Sequence, residues 1–297
     1  MIGHAARLFL GCVFLLAGVL KVINPDELAR EMTGYGIIGA RVSAVAAPLL
    51  IAIEITLGVA LLVASRMRVT AAVASILLLV FLGAKIYSFA RGNTDPCGCF
   101  GTYLQTSPGW GIAIDTGFLA SGLLTLWGLG RRGDIGGRLR SMAVATVAFL
   151  SLGLAVASPH LPIDRFVTRL AVGRSLLDLG LQGKVPGEGR RLVALLDLTD
   201  PGAAAIAARL DAIAGETRAA RVVAITPSSE EDKAAFQWQA NPGFAVEHVD
   251  FALLNPPGQR PLYRRLPRYF LVAGDRVVAI YDDAPPAASD LISSEAS

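Results

Sequence analysis

The sequence predicts an α-helical membrane bundle of four spans, then a fifth span and a soluble α/β domain. Three observations predict it. The 297 residues are 53% hydrophobic and only 17% charged, with a mean hydropathy of +0.53, whereas soluble domains carry about 25% charge. Charge is unevenly placed: residues 1–159 hold 12 Lys/Arg and 7 Asp/Glu, and residues 160–297 hold 15 and 17. Five apolar runs in the first part approach the roughly 20 residues a helix needs to cross a hydrocarbon core. The net charge of +3 includes no dense basic stripe, so nucleic acid is excluded as a partner. Three cysteines are too few for a disulfide-stapled scaffold.

The predicted spans are Leu8–Ile23, Val42–Ala64, Val69–Ala90, Trp110–Leu129 and Met142–Ser158. The first lacks a small-x-small cleavage site and is read as retained. With the N-terminus inside, the inner segments hold Arg7, Arg66, Arg68, Arg131, Arg132, Arg138 and Arg140, and the outer ones Arg30, Arg41 and Arg91. That asymmetry favours a cytoplasmic N-terminus. The loop 92–109 and everything after the fifth span then lie outside the cytoplasm. The expected layout is a four-helix domain over 1–130, an Arg-rich cytoplasmic loop with the fifth span over 131–159, a connector over 160–189 with no structure assigned, and a soluble domain over 190–297. The expected location is the plasma (inner) membrane.

In the soluble part, Leu192–Leu198 is a buried-strand run. Thr199-Asp200-Pro201 reads as an N-cap with proline in the first helical turn. Gly202–Gly215 follows as an alanine-rich helix, then Arg221–Thr226 as a strand and Glu230–Gln239 as a helix. Tyr269–Ala273 and Arg276–Tyr281 are strands joined by Gly274-Asp275, a two-residue hairpin signal. This order reads as α/β with a mixed sheet.

The sharpest chemical feature is Asp95-Pro96-Cys97-Gly98-Cys99-Phe100-Gly101, after the third span. Two thiols one residue apart can close a small strained ring, with Gly98 supplying backbone freedom. Strain makes such a pair labile and suits it to exchange, and the outer compartment is the oxidising one. A structural loop disulfide is the alternative. Metal binding is weaker, because no third Cys or His is near and His4, His160 and His248 are scattered. The second feature is charge within spans: Lys21, Glu54, Lys85 and Asp115. Such groups are costly and usually face a bundle interior or cavity. A polar pocket beneath the dithiol is one reading; lysines snorkelling to the head groups is the other. Glu54 cannot snorkel so easily. Cys12 is expected to be a small buried hydrophobe, and Trp110 and Trp127 to be interfacial anchors.

The first 130 residues resemble the methylamine utilisation protein MauE family, part of a wider DoxX-like membrane group. The resemblance rests on Phe14–Lys21 (FLLAGVLK), on Ile53–Gly58 (IEITLG), and above all on Cys97-Gly98-Cys99-Phe100-Gly101. It implies a role in forming or maintaining disulfides in extracytoplasmic proteins, as in maturation of the small methylamine dehydrogenase subunit. It carries Cys97 and Cys99 over as the redox pair, with an extracytoplasmic thiol protein or a thioredoxin-like protein as partner. The four-helix arrangement also looks like quinone-linked disulfide-generating membrane proteins. A membrane quinone as electron acceptor is consistent with the Lys21, Glu54, Lys85 and Asp115 pocket, and no cofactor is assigned. The soluble domain looks like a thioredoxin-like fold whose redox position, Thr199-Asp200-Pro201-Gly202, carries no cysteine. Pro267, before the strand Tyr269–Ala273, matches that fold's cis-proline and implies a surviving substrate-docking edge.

Three functions remain open on the sequence: a membrane thiol–disulfide oxidoreductase, a non-catalytic membrane-anchored assembly factor with a structural loop disulfide, and a carrier whose polar pocket takes a small molecule or ion.

Overall fold

The computed structural model describes residues 2–92, 107–129, 137–161, 163–216, 220–254, 256, 259–282 and 284–293. The Cys97-Gly98-Cys99 run lies outside the described residues. The chain divides into two units, Met1–Leu161 and Pro162–Ser297.

In the first unit, α1 (Ile2–Ile23) is followed by the short α2 (Pro25–Gly34) and by α3 (Ala40–Leu62), α4 (Met67–Ala90), α5 (Pro108–Leu129) and α6 (Arg138–Ala157). Among the described residues, five helices are long and apolar enough to cross a membrane. They coincide with the five expected spans, although α1 begins six residues before the expected Leu8 and α6 four before the expected Met142. The sequence reading missed α2, although its start is spelled out. Asn24 caps it by accepting from the Glu27 amide at 3.3 Å, Pro25 occupies the first turn, and Asp26 and Glu27 meet the positive helix end.

Helix α1 turns one stripe inward: Leu10, Gly11, Phe14, Ala17, Gly18 and Lys21 are buried, at the three- and four-residue spacing that shares a helix face. It packs on α3 and α5, while α3 also carries α2 and α6, and α4 lies on α5. Helix α3 is therefore buried along several faces, with Ala47, Ile51, Glu54, Gly58 and Leu61 all enclosed. Glycines set the α1–α3 approach. A Cβ on Gly58 would stand 2.7 Å from the Leu15 amide nitrogen, and one on Gly18 2.6 Å from Ile55 Cγ1. Small residues at a helix contact let backbones come together where lipid gives no hydrophobic drive for association. At the other end, the Arg7 guanidinium donates to the Leu61 carbonyl at 3.0 Å, satisfying a carbonyl at the α3 C-terminus. Ser158 Oγ donates to the Val22 carbonyl and ties the end of α6 to the end of α1.

The outward faces are apolar. Phe9, Leu16, Val45, Leu79, Leu123 and Phe149 are all exposed, a surface that water tolerates poorly and acyl chains accept. Cys12 is exposed on this side, contrary to the expectation of a buried hydrophobe, because it falls off the inward stripe of α1. Trp110 and Trp127 are exposed at the two ends of α5.

The second unit is built on a five-stranded mixed sheet in the order β3-β2-β1-β4-β5. Its elements are α7 (Asp164–Val167), β1 (Arg190–Leu195), α8 (Ala203–Glu216), β2 (Arg221–Thr226), α9 (Glu230–Ala240), β3 (Ala245–His248), α10 (Phe251–Leu254), β4 (Arg268–Ala273), β5 (Arg276–Tyr281) and α11 (Ala288–Ser293). Strands β1, β2 and β3 are parallel; β4 is antiparallel to β1, and β5 to β4. The expected strands and helices are present within a few residues of their assigned ends, and β3 is an addition. Strand β1 is apolar at consecutive positions because both of its faces are covered. Leu192 and Ala194 pack with α8 residues Ala207 and Leu210. Val193 and Leu195 pack with Phe270, Val272 and the connector residues Leu170, Leu179 and Leu181.

The connector, which the sequence left without structure, is thus a core-forming layer. It is held by backbone bonds from Gly173 to the Val277 carbonyl at 2.8 Å and from Leu176 to the Asp275 carbonyl at 2.7 Å. One expectation is corrected: Thr199-Asp200-Pro201 does not start a helix. It forms a turn, with Asp197 Oδ1 accepting from the Thr199 hydroxyl at 2.6 Å and Asp200 Oδ1 from the Gly202 amide at 2.6 Å, and α8 begins only at Ala203. Short acidic side chains compete with the helix for these amides.

Candidate functional site

The four intramembrane charges come together as two ion pairs. Lys21 on α1 donates to Glu54 Oε1 on α3 at 2.5 Å. Lys85 on α4 lies 2.6 Å from Asp115 Oδ2 on α5. All four side chains are at most 6% exposed, so the lysines do not snorkel. The Lys21 ammonium also sits 5.5 Å from the centroid of the Phe81 ring, within cation–π range. Glu54 keeps a second oxygen, Oε2, that is buried and has no hydrogen-bond partner among the described residues.

Both pairs line one cavity of about 270 Å³. Its remaining wall is mostly apolar, including Phe14, Leu78, Phe81, Ala84 and Phe118, with Ile37 and Val80 at an exposed rim. Helix α2 supplies Leu28, Glu31 and Met32 to the same wall. Glu31 is a site residue that sequence reasoning missed, because α2 was not recognised; the Asn24-Pro25-Asp26-Glu27 start was the available signal. Burial, and then the Glu27 carboxylate, push the Glu31 carboxyl up to about 8, against the lowering pull of Lys21 and Lys85. Glu31 is therefore mostly uncharged at neutral pH, and the cavity wall holds two balanced pairs and one neutral acid.

Cys97 and Cys99 lie outside the described residues, so the structure does not relate them to this cavity. In the second unit, the Leu266–Pro267 bond is cis. Leu195 pairs with Arg268, which puts Pro267 at the end of the two neighbouring interior strands, where β1 ends and the Asp197–Gly202 turn begins.

Apolar helices around sequestered charges and a cavity define a multi-pass membrane protein. Residues 1–128 match the family described as methylamine utilisation protein MauE. The methylamine utilization protein MauE of Paracoccus denitrificans is 31% identical over 115 residues, which cover 38% of this chain and 62% of that protein. The match thus spans less than two thirds of the relative's length. No solved structure matches the chain.

Proposed function

We propose that the chain is a membrane redox-associated protein that supports thiol–disulfide exchange in extracytoplasmic proteins, with Cys97 and Cys99 as the exchanging pair. The support is the match of residues 1–128 to MauE together with the Cys97-Gly98-Cys99-Phe100-Gly101 run inside that stretch. The relative's name points to methylamine utilisation as the setting. In the exchange, a thiolate attacks one sulfur of a disulfide and a mixed disulfide forms. The other sulfur of that disulfide leaves as a thiolate. The second thiol of the attacking pair then attacks its own pair-mate in the mixed disulfide, closes a new disulfide within the pair and expels the partner's remaining sulfur as a thiolate. One disulfide breaks and one forms, two electrons and two protons move between the pairs, and no outside oxidant enters. Which thiol attacks first is set by the lower pKa and the better access.

On this reading the N-terminus is cytoplasmic and the second unit lies outside the inner membrane. The second unit is a thioredoxin-like module whose dithiol position is taken by the Thr199–Gly202 turn. Its support is the strand order, with three parallel strands, a central β1 and an antiparallel hairpin, and the placement of Pro267 beside the end of β1. Such a module docks an extended segment beside the end of β1, and its tether to the membrane domain raises the effective concentration of that segment to about millimolar.

Trapping tests the reading. Cys99→Ser is expected to hold Cys97 in a mixed disulfide with its partner, visible as a higher-mass band that reductant removes. Absence of any such adduct from both Cys99→Ser and Cys97→Ser, with the chain inserted and folded, favours the non-catalytic assembly factor instead.

A further inference from the structure

The cavity among α1–α5 is lined by both buried ion pairs. We propose that it is a binding site for an uncharged, lipid-soluble molecule whose oxygen-bearing head includes at least one hydroxyl, held between Lys21 and Glu54.

Size comes first. The cavity holds about 270 Å³, well above the ~150 Å³ apolar void that takes up a benzene ring. A single substituted ring or a glycerol-sized head fits. Its wall is mostly apolar and its rim carries exposed Val80 on α4 and exposed Ile37 in the turn between α2 and α3. A ligand therefore enters from the lipid side, trailing any tail past that rim.

Charge decides the ligand's own charge. Lys21–Glu54 and Lys85–Asp115 are already paired. A net charge added to a balanced, water-poor site has no partner to offset its desolvation. The nearby Glu31 carboxyl, pushed up to about 8, does not upset that balance at neutral pH.

Hydrogen bonding decides the head. The Lys21 ammonium has three N–H groups, and Glu54 Oε1 receives one at 2.5 Å. An oxygen on the ligand can accept another. Glu54 Oε2, in a residue only 1% exposed, is buried with no partner among the described residues. Leaving such a buried, charged acceptor unsatisfied forfeits the hydrogen bond it made to water. A ligand hydroxyl donating to it, while an oxygen accepts from Lys21, completes the pair's hydrogen bonding without changing its charge. The Phe81 ring beside Lys21 gives a flat head an apolar face to lie on.

Two sources present this chemistry, a quinol ring and the head of a monoacylglycerol. The experiment separates them, using the full chain in nanodiscs with Cys12, Cys97 and Cys99 replaced by serine, so that thiol chemistry neither imitates nor masks binding. The probes for calorimetric titration are a short-tailed 1,4-hydroquinone, its dimethyl ether, monoolein and oleate. One uncharged hydroxyl probe is expected to saturate at one equivalent, the hydroquinone if the source is a redox lipid and monoolein if it is a glycerolipid. The dimethyl ether and oleate are expected to bind at least tenfold more weakly. Ala84→Phe, which fills the cavity, and the charge-balanced Lys21→Met/Glu54→Leu pair are each expected to weaken binding at least tenfold while the chain stays monodisperse. The proposal is overturned if neither uncharged probe saturates, if the ether or oleate binds as tightly, or if Ala84→Phe leaves binding unchanged. Because no cysteine is present, none of these outcomes bears on the disulfide-exchange reading.

Discussion

Lys21 Nζ lies 2.5 Å from Glu54 Oε1, joining α1 to α3 inside an apolar bundle where neither side chain reaches solvent. Together, the two charges neutralise one another; apart, each would be stranded. Replacing only one partner, as in Lys21→Met or Glu54→Leu, is expected to cost about 3–5 kcal/mol, whereas Lys21→Met/Glu54→Leu recovers most of that loss. Thermal unfolding of the four proteins in detergent, analysed as a double-mutant cycle, checks this. A double variant as unstable as the singles would contradict it.

The α1–α3 contact depends on absent side chains. At Gly58 a Cβ would meet Leu15 backbone at 2.7 Å and 2.9 Å, and backbone cannot rotate away as a flexible side chain can. Gly58→Ala is expected to destabilise by about 1–3 kcal/mol through overpacking. Gly83, whose Cβ would meet nothing within 4 Å, is the control, and Gly83→Ala should be neutral or slightly stabilising, as helix propensity alone dictates.

Glu31 gives stability a pH dependence of defined sign. Its carboxyl is raised from 4.5 to about 8 in the folded protein by burial and by Glu27, with Lys21 and Lys85 opposing. Below about 4.5 it is protonated whether the chain is folded or not, and contributes nothing to the dependence. As pH rises from there to about 8, the unfolded chain loses this proton and the folded one keeps it, so folding is progressively penalised. Glu31→Gln is expected to flatten the fall in melting temperature over that window, most visibly at its alkaline end. Parallel pH profiles for the two proteins would sink the assignment.

In the second unit, Asp164 is the anion for two buried cations. Its Oδ2 lies 3.1 Å from Arg268 Nη1, and its Oδ1 3.5 Å from Arg264 Nη1; Arg268 reaches on to Asp282 Oδ1 at 3.0 Å. Asp164→Asn is expected to cost about 3–5 kcal/mol, the range for breaking a buried pair. Asp282→Asn should cost less than about 1 kcal/mol, because its carboxylate is half exposed. Denaturant melts of the full chain compare the two, and equal losses would show that burial is not what matters.

The sequence by itself determined the spans, because a run of some 20 apolar residues has few alternatives to a membrane helix. It also determined most of the sheet, because consecutive apolar residues followed by turn signals leave little else for Leu192–Leu195 or Arg221–Thr226 to form. It singled out Lys21, Glu54, Lys85 and Asp115, since charge inside such a run is costly whatever the fold. Only the tertiary structure decided the pairing: residues 33 and 30 positions apart meet through helix packing, which no local pattern encodes. The same holds for the connector. Leu170, Leu179 and Leu181 carry no periodicity of their own, and become core only because they cover the open face of β1 and β4. Glu31 was hidden for a similar reason. A ten-residue helix signals its start through a cap, but its place on the cavity wall depends on where α1 and α3 hold it.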